Sequence, residues 1–315
     1  MLFPRSPAPG DAEREVAAVG CKTARRARRT SGTGNQEADV DLRQQLEHWP
    51  VGSAAVAVVG PGGVLASVTV GTPTARFRWA SVTKVLTALT VLDAALDGTV
   101  SLDDPAGPPG ATLAHLLSHC SGVSMDSDRV LAAPGTRRVY SNRGIELAAE
   151  HLTARTGTDF AAELHDRVLD PLGMAETELA GSPAHGAESS IDDLARLAAE
   201  LLHSTHLLPG VVAAASTTAF PGLSGVLPGY GRQEHNDWGL GCEIRDHKSP
   251  HWTSADNSPA TFGHFGQSGS FLWVDPEADL ACVSLCDTAF GPWAVQAWPP
   301  LATAVLAAHR DGTPA

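Results

Sequence analysis

The sequence has little charge, no long apolar run and few tyrosines. Only 18% of its 315 residues are charged, too few for a coiled coil or an extended, solvated chain. No stretch approaches the roughly 20 apolar residues that cross a bilayer, and no short apolar core follows the N-terminus as a secretory signal requires. No membrane span is therefore expected, and the chain reads as cytoplasmic. Positive charge is sparse: 22 Lys and Arg against 35 Asp and Glu give a net charge of -13. That argues against nucleic acid as a partner, because phosphate-backbone binders present a clustered basic face. The five cysteines, Cys21, Cys120, Cys242, Cys282 and Cys286, fall into no metal-binding or redox spacing and read as reduced and buried.

What remains is a globular composition, with 43% hydrophobic residues and 31 glycines. A chain this long buries a sizeable core in one large or two interleaved domains. Residues 1–38 have neither a helical nor a strand period and read as a disordered tail. Their "KTARRARR" reads as a solvated cluster; a basic patch or a misassigned start site are the alternatives. From residue 39 a short helical pattern (Val40 to Trp49) precedes "SAAVAVVG" and "GVLASVTVG", two apolar runs joined by "PGG", which is a hairpin signal. Val85, Leu89, Leu92 and Leu96 then form a helical stripe that Gly98 can end. Several helices with Pro/Gly connections follow over residues 101–234, the last opened by Ser190 with Asp193 as an N-cap pair. The stretches "DWGLGCEIRD", "TFGHFGQSGSFLWVDP" and "ADLACVSLCD" read as antiparallel strands, and a closing helix is expected to be interrupted at Pro299-Pro300. The fold class is therefore α+β. A central antiparallel sheet is made from both chain ends (39–100 and 235–315) and flanked by helices, with a mostly helical inserted subdomain over 101–234.

At the head of the stripe helix stands "WASVTK", which sets Ser81 and Lys84 three residues apart. A serine hydroxyl is a poor nucleophile without a nearby base, and a helix brings positions i and i+3 within reach. The helix N-terminus also supplies N–H groups that can hold an oxyanion. The same pair read without chemistry is a capping serine and a surface lysine, and the spacing alone does not choose.

Further motifs follow in order: "GTVSLDDP", "LLSHCSGV", "APGTRRVYSN", "DPLGM" and "GHFGQSGSFLWVDPE". Together with "WASVTK" they resemble the serine β-lactamase and penicillin-binding-protein superfamily, especially its class C β-lactamase and esterase branch, over roughly residues 50 to 290. The resemblance implies a β-lactamase/transpeptidase-like fold with Ser81 as the acylated nucleophile and Lys84 as the group that eases loss of its proton. Tyr140, one of two tyrosines in the chain, would be the proton relay or general base. Its ordinary pKa near 10 makes it inert unless a neighbouring cation favours the phenolate. Asn142 would bind the acyl side of the substrate, and Gln267 would pair its N–H with that of Ser81 around the oxyanion. The third motif departs from the Lys-Thr-Gly or Lys-Ser-Gly pattern: His264-Phe265-Gly266 stands there. A mostly neutral imidazole and a phenyl ring suit a carboxylate-bearing lactam or peptide less well than a small ester, Phe265 favours an apolar acyl or alcohol group, and Gly266 lets backbone approach the substrate.

The pairs His115/His119 and His203/His206 lack the acidic companion of a zinc-protease motif, so no metal and no cofactor is expected. Three functions stand open. The first is a serine hydrolase acting on small esters or amides, with a small-molecule substrate. The second is a β-lactamase or D-Ala-D-Ala peptidase or acyltransferase. The third is a non-catalytic penicillin-binding-like module. The sequence does not fix the oligomeric state.

Overall fold

A computed structural model describes residues 42–72 and 76–310. The tail expected over 1–38, with Cys21, lies outside them. In chain order the main elements are β1 (Ser53–Gly60), β2 (Gly63–Gly71), α1 (Thr83–Leu96), α2 (Leu113–Leu117), α3 (Asn142–Thr156), α4 (Phe160–Leu164), α5 (Ile191–Leu202), α6 (Pro209–Ser216), β3 (Glu243–Ile244), β4 (Phe262–Phe265), β5 (Phe271–Asp275), β6 (Leu280–Cys286) and α7 (Pro292–Arg310).

The six strands form one antiparallel sheet in the order β2-β1-β6-β5-β4-β3. The N-terminal hairpin joins the C-terminal strands where β1 pairs with β6, Ala57 opposite Val283. β1 reads as an unbroken apolar run because both its faces are covered. Ala55, Ala57 and Val59 pack into the core beneath the helices α1, α3 and α5, whereas Ala54, Val56 and Val58 face the core beneath α7. Alternation at a period of two thus serves two cores rather than one core and solvent. Free Cys282 and Cys286 sit on the α7 side of β6, and Cys120 and Cys242 are buried as well.

Local signals account for several helix ends. Ser190 Oγ accepts from Asp193 N at the start of α5, Ser141 Oγ accepts from Gly144 N at the start of α3, and Gly98 takes a positive φ of 81° just beyond α1. Two readings change. The closing helix is not interrupted: Pro299 and Pro300 sit inside a continuous α7. Each proline removes a helical hydrogen bond and costs about 3 kcal/mol. The buried face made by Ala294, Trp298, Leu301, Ala302, Val305 and Leu306 outweighs that, at about 1.5–3 kcal/mol for each large side chain. Second, the helix opened by Ser190 is not the last before the C-terminal strands, because α6 follows it. Among the described residues no helix is long and apolar enough to cross a membrane.

Candidate active site

Ser81 lies in a tight single turn, Ala80–Val82, that runs directly into α1. Ala80 enters the turn at φ 45°, a left-handed conformation that costs a residue with a Cβ on the order of 1 kcal/mol. The turn is held against the end of β4. Trp79 O accepts from Ser270 Oγ at 2.7 Å, and a Cβ on Gly266 would fall 2.3 Å from that same carbonyl. The close approach that Gly266 permits is thus to the backbone of the Ser81 turn. Gly266→Ala is expected to displace the turn and lower catalytic activity at least tenfold, with a Tm loss of several degrees; equal activity and Tm in the variant would contradict this.

Lys84 follows one turn later and is wholly buried. The reading of a surface lysine and a capping serine fails on this point, and Ser81 makes no cap bond. Lys84 Nζ stands 3.0 Å from Ser81 Oγ, 2.7 Å from Asn142 Oδ1 and 2.9 Å from the Ala184 carbonyl. Burial pulls the amine down to about 7, against the opposing pull of the Asp126 and Glu146 carboxylates. Its acceptors come from three separate parts of the chain. The polar face of α1 fixes the third of these, because Thr87 Oγ1 donates to Pro183 O and Thr83 Oγ1 accepts from Ala187 N, pinning the loop that carries Ala184.

Tyr140 precedes α3, with Lys84 Nζ 4.9 Å from its ring centre. Burial pushes its phenol well above the ordinary value, and a hydrogen bond with Ser81 only partly opposes this. The nearby cation expected to favour a phenolate does not prevail against burial. The Tyr140 hydroxyl lies 3.4 Å from His264 Nε2, while His264 Nδ1 lies 2.7 Å from the Phe265 carbonyl. A carbonyl only accepts, so Nδ1 carries the proton and Nε2 accepts from the tyrosine. Burial, then the Lys84 charge, lowers the imidazole to about 3 and keeps it neutral.

Around these groups lies a cavity of about 970 Å³, lined by Ser81, Tyr140, Asn142, His264, Phe265 and Gln267. Phe265 also packs its ring with Tyr230, Phe290 and Trp298 on the α7 side. The Asn142 amide meets Lys84 through its oxygen and Asp126 through its nitrogen. Arg76 and Arg78, not foreseen in the sequence, bring positive charge to the cavity, each beside a carboxylate, Glu178 and Glu188.

Behind Tyr140 stand two rings, His119 at 4.5 Å and Trp238 at 5.9 Å between centres. His119 takes φ 57° in the "SHCSG" turn and its Nδ1 accepts from Ser141 N. Arg138, two residues before Tyr140, is buried and donates to the carbonyls of Ser118, Ala219, Phe220 and Asn236. It ties the His119 turn and the Trp238 segment to the tyrosine. His115 instead bonds Thr112, and His203 and His206 meet Asp279 and Glu200.

The same fold recurs in known proteins. A β-lactamase of Mycobacterium bovis (Mb2281c) superposes with a TM-score of 0.82 and 52% identity, covering 85% of this chain and 99% of that one. Simvastatin synthase (LovD) of Aspergillus terreus shares the fold at a TM-score of 0.72 and 16% identity, over 89% of this chain and 98% of its own. The D-alanyl-D-alanine-carboxypeptidase/endopeptidase AmpH of Escherichia coli is 27% identical over 143 residues, 34% of this chain. That match spans only 37% of the relative's length. The Beta-lactamase family model matches residues 41–307, and the chain belongs to that family.

Proposed function

We propose that the protein is a serine hydrolase that forms an acyl-enzyme at Ser81 and acts on small esters or amides. The observation that carries this is the buried Lys84 amine, 3.0 Å from the Ser81 hydroxyl and lowered by burial to about 7. In its neutral form the amine gives its two N–H bonds to Asn142 and Ala184 and turns its lone pair to the serine. Lys84 then takes the Oγ proton as Oγ attacks the acyl carbonyl. The N–H groups of Ser81 and Gln267 hold the oxyanion. Collapse expels the alcohol or amine, which receives a proton from Tyr140, and Lys84 returns one to the tyrosine. Water enters by the same route in reverse and frees the serine. Tyr140 acts as the relay, since its protonated form is the stable one.

His264 in place of the family's lysine supplies no charge for a substrate carboxylate, which favours the ester reading. Lactam hydrolysis is the second reading, favoured by the β-lactamase at 52% identity and by the exposed Arg78 on the cavity wall. The test is release of nitrophenolate from short-chain p-nitrophenyl esters and hydrolysis of a chromogenic cephalosporin, each with the native protein and Ser81→Ala. Turnover of the esters, lost in the variant, supports the first reading. Faster turnover of the cephalosporin moves the second ahead, and equal rates in both proteins overturn the acyl-enzyme.

A further inference from the structure

Asn142 Oδ1 accepts from Lys84 Nζ at 2.7 Å, and its Nδ2 donates to Asp126 Oδ1 at 2.8 Å. A carboxylate can only accept, so Asp126 dictates which end of the amide faces the lysine. The loop that carries it is fastened to the first turn of α3 on both sides of the contact. Ser124 O accepts from Ser141 Oγ at 2.7 Å, Met125 O accepts from Arg143 N at 2.9 Å, and Arg143 Nε donates to Asp128 Oδ1 at 2.6 Å.

We propose that Asp126 is a positioning residue of the reaction: it holds the Asn142 amide with Oδ1 toward Lys84 and keeps a negative charge at the edge of the lysine's burial site. This rests on Lys84 acting as the base. Without the carboxylate the amide is free to turn, presenting N–H to an amine that needs an acceptor on that side. The charges and titratable groups facing Lys84 come from every neighbouring element. Glu146 on α3 accepts from Ser182 Oγ, Tyr140 lies beside the amine, and His264 on β4 and His119 are held neutral by burial. Asp126 and Glu146 are the two carboxylates that oppose the effect of burial on the amine, and Asp126 also grips Asn142.

The chain has three lysines, Lys22, Lys84 and Lys248, so the Lys84 side chain can be followed by NMR in protein carrying isotope-labelled lysine. Lys248→Met serves to assign the signals. Asp126 is exposed, and its replacement leaves the core intact. In Asp126→Asn and Asp126→Ala the Lys84 titration is expected to move down by about one pH unit, and the acid limb of kcat/KM for ester hydrolysis should move with it. Asp126→Ala should lose about tenfold more of the limiting rate than Asp126→Asn, whose new side-chain oxygen can still accept from Asn142. A purely structural role would change Tm and leave the titration in place. An unmoved Lys84 signal in both variants overturns the proposal. A protein that hydrolyses no ester, yet shows the shifted signal, overturns the esterase reading and leaves the placement of Asp126 standing.

Discussion

Lys84→Ala is expected to lower kcat/KM for ester hydrolysis by about a thousandfold, the range for losing a positioned general base. The lysine is the group near Ser81 that burial brings to a useful pKa, about 7. Tyr140 is pushed away from its anionic form and His264 is too weakly basic, so neither replaces it. The sign of the pH dependence follows. In the native protein kcat/KM rises with pH through about 7 as the amine loses its proton, and it levels off above. The variant loses that limb, and its residual rate is flat across the same window. Measuring both profiles with p-nitrophenyl butyrate between pH 5.5 and 8.5 checks the claim, in roughly the range set by the shifted amine. A native limb that survives in the variant would assign the proton to another group.

Arg138→Ala is expected to cost about 3–5 kcal/mol of stability, since each buried acceptor left without a donor costs about 1–3 kcal/mol. Four carbonyls, of Ser118, Ala219, Phe220 and Asn236, lose this donor at once, those of Ser118 and Asn236 in buried surroundings. For a chain of this size that corresponds to a Tm lower by roughly 10 °C. Activity falls with it even below the melting transition, because the turn of His119 and the segment of Trp238 no longer brace Tyr140. Arg138→Lys keeps a cation but lacks the planar fork, and its loss of Tm is intermediate. A Tm within about 2 °C of the native protein in Arg138→Ala, measured by calorimetry, would contradict the account.

The parts of the site readable in the sequence are those that act through side chains at fixed spacings. Ser81 and Lys84 are one helical turn apart, and the motif around Tyr140 and Asn142 gives their order, so these could be named before any contact was known. The strand carrying His264 was legible through its apolar pattern and its position after the helical region. Ala184 was not, because it contributes a backbone carbonyl that any residue carries. Asp126 is one acid in a polar loop, and only the meeting of that loop with α3 gives it a task. Arg138 looked like one of two adjacent arginines, whereas its burial depends on three distant segments closing over it. The continuity of α7 through Pro299-Pro300 was hidden for a similar reason: local propensity argues for a break, and long-range packing on the sheet overrides it.

Identifying the covalent intermediate is the most direct measurement. The protein is mixed with a p-nitrophenyl ester, quenched in acid within the first turnover and analysed by intact and peptide mass spectrometry. One acyl group on the peptide containing Ser81, absent from Ser81→Ala, is the predicted result. Turnover of the ester with no adduct, or with the adduct on another residue, would contradict the acyl-enzyme at Ser81.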